Sequence, residues 1–211
     1  MASHTRLVTP VPALESLRRD HQALLLLADA LDAYAAALEA RRPVHPGDLR
    51  ALVHALRTFG DYRHFEKEEQ VLVPLLVRAG FDFALGVFAE GRHAHQRLRH
   101  LIEVLEYAAQ RELDWSRFEQ TAIVAAARAL TDAQRRISDR QERELLPEIA
   151  KRLDGPALEL LNRELLRFDE RDAARSSGFD VWRVGRETLE RYGAASLPAS
   201  NQNLAASNTR G

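Results

Sequence analysis

Apolar residues recur at steps of three and four near the start of the chain, which is the spacing of a helix with one face in a core. His21 takes the one position of this stripe that is not apolar. A polar side chain there is directed at the interior, so His21 is the first unusual residue of the pattern. The apolar members of the stripe are Leu14, Leu17, Leu24, Ala28, Leu31, Ala35 and Leu38.

Three further stretches carry the same periodicity. They predict a second helix to about residue 80, a third over about 82–111 and a fourth that starts near 116. The segment Ser116-Arg117-Phe118-Glu119 has the spacing of a capping box, and Gly155-Pro156 ends the fourth helix. Strand-like alternation is absent from the sequence, so the fold class is predicted to be all-α.

Two shorter amphipathic segments follow the fourth helix, at about 158–168 and 179–192. The predicted organisation is a flexible segment at 1–12, one helical bundle at 13–155, accessory helices at 156–192 and a disordered tail of small and polar residues at 193–211. The accessory helices cover either the bundle or a partner protein, and the first interpretation is favoured.

Composition narrows the function. With 211 residues and 45% hydrophobic content the chain is long enough for one substantial core. The 30 basic and 31 acidic residues leave a net charge of -1, which favours neither nucleic acid nor an anionic membrane as a partner. The absence of cysteine excludes disulfides and thiolate metal sites, so any metal needs nitrogen and oxygen ligands. Without a targeting or membrane-spanning pattern, a cytoplasmic protein is expected.

The sequence contains an internal repeat. Residues around His21 match those around His95 at an offset of 74, and residues around Glu69 match those around Glu142 at an offset of 73. The first match relates helices one and three, and the second relates helices two and four. The repeat predicts a pseudo-twofold bundle in which equivalent side chains of both halves meet at the centre.

A candidate metal site lies at that centre. His64 and Glu68 are four residues apart and share one face of the second helix, where both can hold one cation. Such a pair is common by chance on charged helices. His21 and His95 occupy matching positions on helices one and three, and buried imidazoles need partners. We therefore interpret the four residues as one metal-binding set.

With these residues the sequence resembles the hemerythrin-like, or HHE cation-binding, family. The resemblance is strongest at His64-Phe65-Glu66-Lys67-Glu68-Glu69-Gln70-Val71-Leu72-Val73-Pro74. The resemblance covers about residues 14–153. It implies an up-down four-helix bundle with a non-haem di-iron centre that handles oxygen, nitric oxide or peroxide, or that senses or donates iron. When the family's ligand pattern is matched to this sequence residue by residue, the resemblance implies that the iron ligands are His21, His64, Glu68 and His95.

The second half of that pattern is incomplete. The repeat places Ile137 where the family has a histidine and Gln141 where it has a glutamate. Glu142 is the candidate replacement ligand if its side chain turns inward, and Glu144 is a weaker candidate. Three histidines and one glutamate suffice for one iron ion. We therefore expect one iron rather than two, with Glu142 as a fifth candidate metal ligand.

Three functions are compatible with these residues. The first is a non-haem iron protein whose open coordination positions take a small diatomic or peroxide ligand. The second is a metal-poor bundle that acts as an interaction or stress-regulatory module through its C-terminal helices. The third, minor, interpretation is haem held by one of the buried histidines. No phosphate-cradling glycine loop or Ser/His/Asp set supports a nucleotide-dependent or hydrolytic function.

Overall fold

The structure is a computed structural model, and it describes residues 12–82, 86–111, 115–175 and 180–193. These residues form six helices and contain no strand, which confirms the predicted all-α class. Most of the predicted flexible segment, residues 1–11, and most of the predicted tail, residues 194–211, lie outside the described residues.

Four long helices are followed by two shorter ones. Helix α2 spans residues 46–78 and helix α4 spans residues 117–152, and both contain π-helical stretches. The α-helical parts are α1 Pro12–Glu39, α2 Pro46–Ala55 and Val73–Arg78, α3 Gly86–Ala109, α4 Arg117–Arg140 and Leu146–Arg152, α5 Gly155–Arg175 and α6 Val181–Tyr192. The π-helical parts are Leu56–Phe65 and Glu68–Leu72 in α2 and Gln141–Leu145 in α4.

The four long helices form an up-down bundle. Helix α1 packs against α2 and α4, and α3 also packs against α2 and α4, so each helix has two neighbours around a closed ring. The apolar stripe of α1 faces inward as predicted, since each of its seven members is at most 5% exposed. The four predicted bundle helices are therefore present.

The ends of the helices follow local chemistry. Ser116 caps α4: its Oγ accepts from the backbone N–H of Glu119 at 3.3 Å, and the Glu119 carboxylate accepts from the Ser116 N–H. This confirms the predicted capping box. The predicted start of the third helix at residue 82 is wrong, because α3 begins at Gly86. Gly86 has a φ of 65°, a left-handed conformation that glycine adopts without steric cost.

The accessory helices cover the bundle. Helix α6 packs along α1, and α5 packs on α1 and on the second π-helical stretch of α2. Gly185 permits the close approach of α6, since a Cβ there would lie 2.6 Å from Leu26 Cγ. Helix α5 is longer than the short segment predicted, and Phe179, the predicted start of the sixth segment, is outside the described residues.

The buried residues form two apolar clusters with a polar layer between them. Along α2, the members of the larger cluster end at Phe65 and those of the smaller cluster begin at Val71. The smaller cluster also includes the inward face of α5. The same gap occurs in α4 between Ile137 and Leu145. Within the described ranges no helix combines the length and apolar character of a membrane span.

Candidate metal centre

Three imidazoles, one each from α1, α2 and α3, converge on the carboxylate of Glu68 in the polar layer. The Nε2 atom of His21 lies 3.9 Å from Glu68 Oε1, and that of His64 lies 3.4 Å from the same oxygen. The Nε2 atom of His95 lies 3.3 Å from Glu68 Oε2. Glu68 is the most exposed of the four residues, at 5%. The structure thus brings together four of the five predicted site residues.

The π-helical stretches shape this layer. Glu68–Leu72 and Gln141–Leu145 each end two residues before a proline, Pro74 in α2 and Pro147 in α4. A proline lacks an N–H donor, and its ring clashes with the carbonyl four residues earlier, which disfavours regular α-helical bonding at that point. Wider turns therefore occur at the level where α2 and α4 present their polar side chains.

The other ring nitrogen of each histidine faces a second carboxylate. The Nδ1 atom of His21 lies 2.6 Å from Glu142 Oε1, and that of His95 lies 3.1 Å from Glu69 Oε1. The Nδ1 atom of His64 lies 3.6 Å from Asp20 Oδ2. A carboxylate at the outer nitrogen fixes the tautomer and ring orientation of a metal-binding histidine. All three Nε2 atoms are thus directed at the common centre.

These carboxylates determine the charge of the layer. Burial disfavours the charged form of His21, but the nearby carboxylates of Glu142 and Glu68 outweigh it and raise the His21 pKa to about 9. Burial is likewise outweighed at His95, where Glu68 and Glu69 raise the pKa to about 9. Burial would raise the pKa of Glu68, yet the surrounding imidazoles hold it well below its usual value. At neutral pH Glu68 is therefore an anion beside two protonated imidazoles, those of His21 and His95.

The residues present fit a divalent cation such as iron. One donor atom each from His21, His64 and Glu68 lies within 4.8 Å of the other two, which is the spread of ligands around one ion. The buried Nε2 atom of His21 has no hydrogen-bond partner among the residues that the structure describes. A buried nitrogen without a partner costs free energy, and coordination to a cation supplies one. Imidazole and carboxylate donors together suit iron.

The positions of the second half-site hold different chemistry. Ile137 is 5% exposed and belongs to the larger apolar cluster. Gln141 donates from Nε2 to both oxygens of Glu68, at 3.0 and 2.8 Å. This contact joins two residues that the internal repeat relates, and it confirms that equivalent side chains meet at the centre. The structure places Glu142 at the outer nitrogen of His21. Neither Glu142 nor His95 belongs to the group of donor atoms from His21, His64 and Glu68 that lie within 4.8 Å of one another.

A buried ionic network that the sequence did not reveal borders the centre. The Nζ atom of Lys67, which is fully buried, lies 2.6 Å from Asp20 Oδ2 and 2.6 Å from Asp169 Oδ1 of helix α5. Burial would raise the Asp20 pKa, but contacts with His64 and Lys67 lower it to about 2. Lys67 therefore connects α5 to the carboxylate behind His64.

One comparison with known proteins found a match that agrees with this geometry. The family model described as hemerythrin HHE cation binding domain matches residues 13–149, a range that contains every residue of the centre. The comparison with curated proteins gave no significant match, and neither did the comparison with solved structures.

Proposed function

Because this chain belongs to the hemerythrin HHE cation-binding family, we propose that its polar layer binds one non-haem iron ion. The proposed ligands are the Nε2 atoms of His21, His64 and His95 and the carboxylate of Glu68. The supporting observation is the two-sided arrangement of the histidines, in which each ring directs Nε2 inward and has a carboxylate oxygen within 3.6 Å of Nδ1. Stability alone does not require three such imidazoles in one buried layer.

The chain's own residues have distinct roles in this proposal. Glu68 supplies the negative charge that compensates the cation, and Glu142 and Glu69 orient the rings of His21 and His95. The apolar clusters flank the layer on both sides. When bound, iron supplies a redox-active Lewis acid with open positions for dioxygen, peroxide or nitric oxide. We propose that one of these small molecules is its ligand.

Iron content and thermal stability test the proposal. Protein produced in iron-supplemented medium is expected to contain about one iron per chain, because three imidazoles and one carboxylate complete one site and not two. Removing the metal with a chelator is expected to lower the melting temperature by roughly 10 °C, given about 4 kcal/mol from a ligand far above its Kd and a chain of this size. Elemental analysis and calorimetry measure both quantities.

A pair of histidine variants provides the control. His64→Ala removes a proposed ligand from the centre, and His100→Ala removes an exposed imidazole from α3. The first is expected to lose most of its iron and the second to retain it. Equal iron content in both variants would show that the metal is held elsewhere.

A second function has one observation in its favour. The amide of Gln141 satisfies both oxygens of Glu68 without a metal, as a bundle that serves only for interaction would require. That function predicts negligible iron and a melting temperature that chelator does not change. The calorimetric experiment above therefore separates the two functions.

Removing the carboxylate behind His21 is expected to weaken metal binding without abolishing it. In Glu142→Ala the His21 ring loses the acceptor at Nδ1, and losses of this kind cost about 10- to 100-fold in metal affinity. Competition with a chelator of known affinity measures the change. Glu144→Ala is the matched control, since Glu144 is exposed and bonds only Arg140 among the described side chains. If Glu142 were itself an inner ligand, its loss would approach the effect of losing Glu68.

A further inference from the structure

A cavity of about 520 Å³ opens beside the centre, between α2, α3 and α4. Glu68, His95 and Gln141 form part of its wall, so it reaches the residues of the polar layer directly. Pockets for organic ligands have volumes of about 300–1,000 Å³. A diatomic molecule or peroxide is comparable in size to a water molecule, whose share of liquid volume is about 30 Å³. The cavity is much larger than such ligands require.

The walls of the cavity differ in chemistry. Helix α2 contributes Leu72, Val73 and Val77, and α4 contributes Leu145, which together give a hydrocarbon surface. Helix α3 contributes polar side chains along one edge, among them those of Arg92, Gln96 and Arg99. A molecule that fits both surfaces has an apolar body and one polar or charged group.

The charges on the polar edge favour a negative group. Arg99 is neutralised, because its guanidinium binds the carboxylates of Asp61 and Glu69 at 2.5 to 3.0 Å. Glu69 is satisfied by the same contacts and by His95. Arg92 is exposed at the edge, and in the described part of the chain it has no ion pair with a carboxylate. It is the cation that remains available for a ligand.

We propose that this cavity binds an organic monocarboxylate with an apolar chain, its carboxylate at Arg92 and Gln96 and its chain along Leu72, Val73 and Val77. The binding itself depends only on the cavity. That the bound acid is a molecule on which the centre acts rests on the function proposed above. The organic acid would then reach the polar layer from the side of the cavity, where Glu68 and His95 form part of the wall.

The test uses the full-length, metal-free protein and four probes at pH 7: acetate, octanoate, 1-octanol and octylammonium. Octanoate is expected to bind most tightly, and affinity within the carboxylates is expected to rise about fourfold for each added methylene group that is buried. Isothermal titration calorimetry measures each affinity. Carboxylates that bind without dependence on chain length would overturn the assignment, as would octylammonium binding as tightly as octanoate.

Two variants locate the binding. Arg92→Gln is expected to weaken octanoate about tenfold, the value of a charge-assisted hydrogen bond, while 1-octanol is unaffected. Val73→Phe places a ring in the cavity and is expected to weaken the binding of both octanoate and 1-octanol. Arg97→Gln is the control, because Arg97 is an exposed residue of α3 that does not line this cavity. An Arg92→Gln variant that binds octanoate like Arg97→Gln would rule out the proposed site.

The iron measurements are independent of these titrations. Octanoate binding to a protein that takes up no iron would support the cavity and refute the function proposed for the centre. Iron uptake without octanoate binding would support the function proposed for the centre and refute the ligand proposed for the cavity. The two proposals therefore fail separately.

Discussion

Glu68→Gln is expected to remove nearly all iron from the protein while leaving the bundle folded. Glu68 is the carboxylate toward which all three Nε2 atoms are directed, and glutamine keeps its size but not its charge. Loss of a group that only orients a ligand costs about 10- to 100-fold in metal affinity, so loss of the anionic ligand itself should exceed about 100-fold. Iron content and chelator competition measure the effect, and circular dichroism checks the fold.

The same substitution two residues earlier is the control. Glu66 lies on α2, where its carboxylate accepts from Gln70 and has no contact with the imidazoles. Glu66→Gln is expected to bind iron like the unaltered protein. A Glu68→Gln protein that still holds about one iron per chain would contradict the ligand set, whatever its stability. Because both variants lose one negative charge from one helix, a general electrostatic effect would change them equally.

Much of the fold could be predicted because it depends on periodicity. The stripe of α1 placed His21 inside the bundle, and the structure has it 2% exposed. The repeat related His21 to His95, and their Nε2 atoms lie near opposite oxygens of one carboxylate. Such inferences succeed because the burial of one helix face and the symmetry of the two halves fix which direction the side chain at each helical position takes.

The position of Glu142 follows the internal repeat. The repeat pairs Glu142 with Glu69, and it pairs the two histidines His21 and His95. In the structure each glutamate bonds the Nδ1 atom of one of these histidines. Glu142 is thus the counterpart of Glu69 rather than of Glu68. The pairing was visible in the sequence and predicts an orienting role for both carboxylates.

Other features were not accessible to periodicity. Asp169 contacts Lys67 from α5, and nothing in the spacing of either segment indicates which charged side chains meet across two packed helices. A lysine is ordinarily assigned to the surface because its charge is costly to bury. The cavity also depends on the packing of three helices and has no signature in any one of them.

Lys67→Met is expected to destabilise the protein by about 3–5 kcal/mol, because removal of one partner leaves buried charges without compensation. Methionine fills much of the volume of the lysine stem, so the loss is mainly electrostatic. Asp20 and Asp169 would then share only Arg63, whose Nη2 atom lies 3.8 and 3.4 Å from them. For a chain of this size the melting temperature should fall by roughly 10 °C. Urea denaturation of the metal-free protein measures the free energy of unfolding.

Lys151→Met is the matched control, since Lys151 is the other lysine of the chain and is exposed. Its effect should stay within about 0.5 kcal/mol, as is usual for surface substitutions. Adding Asp169→Asn to Lys67→Met removes one uncompensated charge, and the double variant should be more stable than Lys67→Met alone because the two residues interact directly. Equal losses for Lys67→Met and Lys151→Met would show that the buried network contributes nothing. A recovery in the double variant would instead attribute the loss to the ionic contact between Lys67 of α2 and Asp169 of α5.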